Sequence, residues 1–352
     1  MNGELKHTEE DFQGKTDTTE TKHDVVEILP IPPQPERMPV VRQLALLGLV
    51  LLCAFSLSTV PRVIANLRAD DVGSRITDIV DRSEEEGITM PDLSVFSEVT
   101  ISGSAAFVWD VATQRILYEK DPDAQLPIAS ITKLMTTLVA HEILARETTI
   151  SIPMLALLQD GDSGLRDGER FSFDALSDLT LMSSSNDGAY ALAAAAGALL
   201  SEDDPAETFV EAMNIRAQEL GLTQTYFRNP TGLDISETEA GAYSSARDVA
   251  FLLEYIVREK PEILEATTEI ASIFYNTDGA YHEADNTNAV VRDIPGLIAS
   301  KTGYTALAGG NLAVAYDAGL NRPIIIVVLG STYTERFDDV LELVEASRAS
   351  VQ

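Results

Sequence analysis

The chain has few of the residues that most often build reactive sites. Cysteine occurs once, as Cys53, so neither an internal disulfide nor a cysteine-based metal site can form within it. Histidine occurs four times, at His7, His23, His141 and His282, with no HExxH or other paired spacing. A metal enzyme is therefore not expected, and no cofactor is assigned. Bases are scarce too: 25 Lys and Arg stand against 56 Asp and Glu, a formal net charge of −31. Residues 1–40 hold nine acids and four bases, or −5; the remaining 47 acids and 21 bases give −26. Acidity spread through the folded part repels phosphate backbones and anionic lipid surfaces, which excludes nucleic acid as a partner. It also makes any local cluster of cations conspicuous.

What is present is ordinary for a globular protein: 45% hydrophobic and 23% charged residues in a 352-residue chain, enough for one or two domains. Residues 1–40 are polar and end in PIPPQPERMP, which reads as a disordered acidic tail with a polyproline-like end. Leu44–Val60, within residues 41–60, runs about 17 residues without a charge. It reads as a single transmembrane segment or uncleaved signal anchor, with the tail in the cytoplasm and the rest of the chain on the extracytoplasmic face. Residues 61–100 read as a linker or stalk, and the folded domain as 101–352.

Within that domain, Ala105–Asp110 and Arg115–Lys120 alternate as a hairpin, with Trp109 as a strand core residue. Helical periodicity dominates from Ser130 to about Lys260, and the strands GLIASKT, NLAVAYD and PIIIVVLG follow, then the helix ERFDDVLELVEASRA. Strands at both ends of the domain must share one sheet, with the helical block inserted between them. That is an α+β architecture.

Three short stretches could carry chemistry. In PIASITKLMT, Pro127 suits a helix entry, and Ser130 and Lys133 fall three residues apart on one helical face. A lysine in apolar surroundings loses proton affinity, and its neutral amine can take the proton of a neighbouring hydroxyl. In LMSSSNDGAY, Ser183, Ser184, Ser185 and Asn186 connect two helices. Asn186 or Asp187 suffices to cap the second helix, so the remaining polar groups are free to relay a proton and hold an amide. In ASKTGYTALAGG, Lys301, Thr302 and Gly303 close an apolar strand with a cation, a hydroxyl and a position of close backbone approach, where an extended peptide could add. Each stretch alone has a plain structural explanation.

Together and in this order, S-x-x-K, S-S-N and K-T-G resemble the signature of penicillin-binding proteins and class A β-lactamases. The segment FVEAMNIRAQELGLTQTYFRNPTGLD at 209–234, with YSSARDVAFL, NTNAVV, KTGYT and GGNLAVAY, is similar to serine D-Ala-D-Ala carboxypeptidases over about residues 101–345. The resemblance implies a β-lactamase/transpeptidase-like α+β domain: an antiparallel sheet flanked by helices, with a helical subdomain at about 130–260. It implies cleavage of the terminal D-Ala-D-Ala bond of peptidoglycan stem peptides through an acyl-serine, with β-lactams as acylating inhibitors. Ser130 would be the nucleophile, Lys133 its base and Ser184 the relay to the leaving group. Asn186 would hold the substrate amide, Lys301 would order the network and Thr302 would bind the terminal carboxylate. Gly303 completes the motif; the N–H groups of Ser130 and Tyr304 would form the oxyanion hole, and Arg336 would assist with the carboxylate.

The second motif departs slightly from the usual pattern, with Ser185 where many relatives have glycine and Gly188 where alanine is frequent. Many relatives also continue into a β-rich domain and a C-terminal amphipathic anchor, whereas the N-terminal span is expected to tether this chain. DD-endopeptidases share the motifs and are not separated from carboxypeptidases by them. A class A β-lactamase would need E-x-x-L-N, and the nearest string, Glu211–Asn214, is one residue short and reads as a solvated helix face. A non-catalytic peptidoglycan sensor would show a broken motif, and none is broken. His141 reads as a packing residue eleven positions after Ser130, and His282 as part of a loop.

Overall fold

The computed structural model describes residues 90–351 apart from 162 and 320. The expected tail, membrane segment and most of the linker lie outside the described residues. Among the described residues no helix is long and apolar enough to cross a membrane.

The expected hairpin is present as β1 (Ala105–Asp110) and β2 (Arg115–Lys120). After it come β3 (Leu126–Pro127) and a 3-10 turn over Ala129–Thr132, which runs into α1 (Lys133–Ile143). Strands β4 (Thr149–Ser151) and β5 (Arg170–Ser172) pair across a long connection. Helices α2 (Phe173–Met182), α3 (Asn186–Gly197) and α4 (Pro205–Glu219) follow, then β6 (Tyr226–Phe227), β7 (Ala242–Ser244) and α5 (Ala246–Glu259). The hairpin β8 (Ala271–Tyr275) and β9 (Tyr281–Asp285) precedes β10 (Leu297–Thr305), β11 (Gly309–Asp317), β12 (Pro323–Ser331) and α6 (Glu335–Val351).

The main sheet is antiparallel, in the order β10-β11-β12-β1-β2. Its centre is the pairing of β1 with β12, from Ala105 opposite Leu329 to Asp110 opposite Ile324, so distant parts of the chain meet as expected. Side chains alternate across the pleat. Ala105, Phe107, Trp109, Ile325, Val327 and Leu329 face the core shared with the helical block. Ala106, Val108, Ile324, Ile326 and Val328 face a second core closed by Val340, Leu343 and Val344 of α6. Burial on both faces explains why PIIIVVLG is apolar throughout rather than alternating. Helix α5 is capped by Ser245, whose Oγ accepts from Asp248 N. It lies against the sheet, where the Phe251 ring meets Phe107 and Trp109 edge-on.

The packed fold begins before Ile101. Leu93–Glu98, expected at the end of the linker, form a 3-10 helix whose Phe96 is buried and stacks on Tyr118. Asp92 N also donates to Ser350 O at 2.7 Å. One buried ring in a six-residue turn makes too little periodicity to be read from sequence. Pro127 likewise does not open a helix; it ends β3, paired with Tyr243.

Candidate active site

Ser130 sits in the 3-10 turn just before α1 rather than within the helix. The chain turns there because Ala129 adopts a left-handed φ of 48°. Gly232, at φ +81°, packs so closely that a Cβ on it would lie 1.9 Å from Ala129 O. Lys133 opens α1 and is 0% exposed. Its Nζ lies 2.8 Å from Ser130 Oγ, 2.6 Å from Asn186 Oδ1 and 2.8 Å from Thr231 O. Asn186 Oδ1 and Thr231 O can only accept, whereas the serine hydroxyl can also donate. N–H bonds of the amine satisfy both carbonyls, and the Ser130 hydroxyl lies within hydrogen-bond reach of the same nitrogen. Burial, with the nearby Lys301 charge, lowers the Lys133 pKa well below the ordinary lysine value.

Ser185, not Asn186 or Asp187, caps α3; its Oγ accepts from Gly188 N at 2.9 Å. That frees its two neighbours. Ser184 is held at φ +61°, and its Oγ accepts from Lys301 Nζ at 2.9 Å. Asn186 makes two contacts on its own wall of the cleft: Oδ1 accepts from Lys133 Nζ, and Nδ2 donates to Asp160 O at 2.6 Å.

Strand β10 forms the facing wall and runs on past the motif to Thr305. Lys301 is 2% exposed and also donates to Thr302 O at 2.9 Å. Burial, reinforced by the Arg336 charge, pushes its pKa down to about 7. Thr302 Oγ1 shares a 2.6 Å hydrogen bond with Thr287 Oγ1. A Cβ on Gly303 would lie 2.6 Å from Ile128 O and 3.2 Å from Ser130 N, so β10 approaches the serine backbone closely only because residue 303 is glycine. Tyr304 is 51% exposed at the rim, with its ring edge-on to Tyr333. Arg336 is buried behind β10, where its Nη1 donates to Gly303 O at 2.9 Å. Its guanidinium lies 4.7 Å from the ring centroids of both Tyr333 and Phe337.

The expected residues of all three motifs thus line one cleft, with Tyr304 at its edge and Arg336 bracing its strand. Sequence reasoning missed the groups that act through backbone carbonyls, Thr231 and Asp160, because a carbonyl leaves no mark on residue type. The Asn-Pro-x-Gly string at 229–232 is a turn signal that sequence reasoning did not use: Asn229 Oδ1 accepts from Thr231 N, Thr231 Oγ1 and Gly232 N. The place where that turn lands has no such signal. His141 packs against the Phe173 ring at 4.6 Å, away from this chemistry. Glu211 is exposed on α4, as expected. His282 is not in a loop but in β9, bonded to Glu169.

The family model for D-alanyl-D-alanine carboxypeptidase, peptidase S11, matches residues 93–333. A D-alanyl-D-alanine carboxypeptidase of Bacillus subtilis is 31% identical over 255 residues, covering 71% of this chain and 63% of that protein, so this chain spans under two thirds of that relative's length. A D-alanyl-D-alanine endopeptidase of Escherichia coli is 30% identical, over 72% of this chain and 77% of that protein. Penicillin-binding protein D2 of Listeria monocytogenes, solved with ampicillin bound, superposes with a TM-score of 0.58 at 28% identity, covering 71% of this chain and 98% of that one. A Streptomyces DD-transpeptidase at 24% identity shares the fold, with a TM-score of 0.64. The domain match, with its three motifs gathered in one cleft, places this chain in the peptidase S11 family of D-alanyl-D-alanine carboxypeptidases.

Proposed function

We propose that this protein is a serine D-Ala-D-Ala carboxypeptidase that trims peptidoglycan stem peptides through an acyl-Ser130 intermediate. The observation that carries the reading is the setting of Lys133 Nζ, buried and held by two obligate acceptors with Ser130 Oγ at 2.8 Å. Lys133 takes the Ser130 proton as Oγ attacks the carbonyl of the penultimate D-Ala. The peptide C–N bond then breaks, and the proton passes through Ser184 to the departing D-Ala amine. Water hydrolyses the ester and regenerates Ser130. Asn186 holds the substrate amide and Thr302 its terminal carboxylate. The Ser130 and Tyr304 N–H groups hold the oxyanion. Lys301 and Arg336 supply positive charge behind them, and β-lactams acylate the same serine.

The residues 41–60 segment tethers the enzyme to the cell membrane with the catalytic domain outside the cytoplasm; the run Leu44–Val60, which carries no charged residue, supports this. A second reading, cleavage of peptide cross-links, is favoured by the likeness to curated endopeptidases at 30% and 32% identity.

The test uses the full chain in detergent. A fluorescent penicillin should label it, and Ser130→Ala should abolish the label; a labelled Ser130→Ala protein would move the nucleophile elsewhere. D-Ala release from a pentapeptide is expected by mass spectrometry. Cleavage of a cross-linked dimer with no D-Ala release would establish the endopeptidase instead.

A further inference from the structure

One buried carboxylate lies outside all three motifs yet touches both structures that flank the cleft. Glu169 ends the connection between β4 and β5. Its Oε2 accepts from Arg166 N at 3.0 Å, within the same loop. Its Oε1 accepts from Asn276 Nδ2 in the β8–β9 turn and pairs with His282 Nε2 in β9, both at 2.7 Å. The side chains of His282 and Glu169 are 12% and 7% exposed.

Each of the segments joined there runs on to a group in the cleft. The loop over residues 152–169 is closed at its neck by Ile152 N donating to Glu169 O at 2.8 Å. Further round, its Asp160 O accepts from Asn186 Nδ2 at 2.6 Å, and Ser163 N donates to Asp187 Oδ2 at 3.3 Å. Beyond β9, Thr287 N donates to Met182 O at 3.2 Å and Thr287 Oγ1 meets Thr302 Oγ1 at 2.6 Å. Arg170, the first residue of β5, also meets Asp278 of the hairpin, but their side chains are 55% and 66% exposed and that pair contributes little, while the Phe171 ring lies 5.4 Å from that of His282. We propose that Glu169 and His282 form a positioning clasp, which sets the amide of Asn186 on one wall of the cleft and the hydroxyl of Thr302 on the other.

The chemistry suits alignment better than bulk stability. Apolar contacts would hold a loop on a hairpin without the desolvation cost of a carboxylate. Hydrogen bonds from three segments to two oxygens fix angles as well as distances. A carboxylate can accept from all three at once, whereas a glutamine at 169 retains only one acceptor oxygen.

This inference rests on the peptidase reading, and the two fail differently. If wild-type protein neither binds penicillin nor cleaves either peptide, the peptidase reading is wrong. For the clasp, Glu169→Gln, His282→Ala and His282→Gln are made in the full chain and assayed on whichever peptide the wild type cleaves. Glu169→Gln and His282→Ala should lower kcat/KM about tenfold, chiefly through KM, because substrate-holding groups are displaced. His282→Gln, which keeps a donor, should recover most of the loss. In an Asn186→Ala background, Glu169→Gln should cost at least about threefold less than in wild type, since part of its effect passes through that amide. Wild-type kcat/KM in both Glu169→Gln and His282→Ala, or strictly additive effects with Asn186→Ala, would overturn the clasp. If Glu169→Gln does not fold, the His282 pair and a His282→Ala, Asn186→Ala cycle decide the question.

Discussion

At the scale of single residues, the cleft depends on cations kept away from water. Lys133 and Lys301 are both buried, the Lys301 charge acts on Lys133 and the Arg336 charge on Lys301, and burial lowers the pKa of both lysines. For Lys301 this has a measurable consequence for folding. Its pKa is about 7 in the folded protein against an ordinary value of 10.5. Below the folded value both states carry the proton, and the full cost of burying the charge is present. Between the two values the unfolded chain binds more protons than the folded one, so stability rises with pH. Tyr316 acts in the opposite sense at higher pH, since burial pushes its hydroxyl up to about 12. Comparison with Lys301→Met cancels the groups that Lys301 does not influence; Lys133, whose pKa the Lys301 charge lowers, shifts with it. The stability of wild type relative to Lys301→Met, from urea unfolding, should improve between about pH 7 and about pH 9, by at most about 1.4 kcal/mol per pH unit. A pH-independent difference would mean that Lys301 holds its proton as tightly folded as unfolded.

At the scale of elements, the cleft is assembled by close approach. β10 can lie beside the turn that carries Ser130 because Gly303 has no side chain, and a Cβ would meet Ile128 O at 2.6 Å. Gly303→Ala should push the strand outward by a fraction of an ångström to about 1 Å, enough to cost roughly 100-fold in acylation rate. Penicillin labelling kinetics measure this, and a rate within about threefold of wild type would show that the strand has room to spare. The presence of the strand was legible in the sequence, as were the β1–β2 hairpin and the amphipathic helices, because period-two and helical spacing reveal which elements have a buried face. The bends that aim the chemistry were not. Ala129 and Ser184 take left-handed φ values of 48° and 61° without being Gly or Asn, so nothing in their identity announces it. The β8–β9 hairpin was also missed: its outward face mixes Ile273, Tyr275, Tyr281 and Glu283, which gives no clean alternation.

At the scale of the whole molecule, the sheet and the helical block share one apolar core, which runs from Phe107 and Val327 through Leu134 and Leu176 to Phe209 and Leu253. The helical insertion therefore has no core of its own, and the site lies where chain segments far apart in sequence must close together. That closure is tied at the β1 end. Asp110 is fully buried, and its Oδ2 accepts from Arg322 Nη2 at 2.6 Å and Nε at 3.0 Å. Its Oδ1 accepts from Ala112 N and Thr113 N in the β1–β2 turn. One carboxylate thus joins the first hairpin to the residue just before β12. Removing it leaves the Arg322 guanidinium buried without that partner, which should cost about 3–5 kcal/mol in Asp110→Ala. Replacing both partners with apolar groups, as in Asp110→Leu with Arg322→Met, should recover part of the loss, because no charge is then left buried. Because the core is continuous, circular dichroism and penicillin labelling should be lost at the same urea concentration in wild type and Asp110→Ala alike, with only the midpoint lowered. Labelling lost well before helicity would show that the helical block outlives the sheet. A cost below about 1 kcal/mol for Asp110→Ala would show that the pair does not hold the two ends of the fold together.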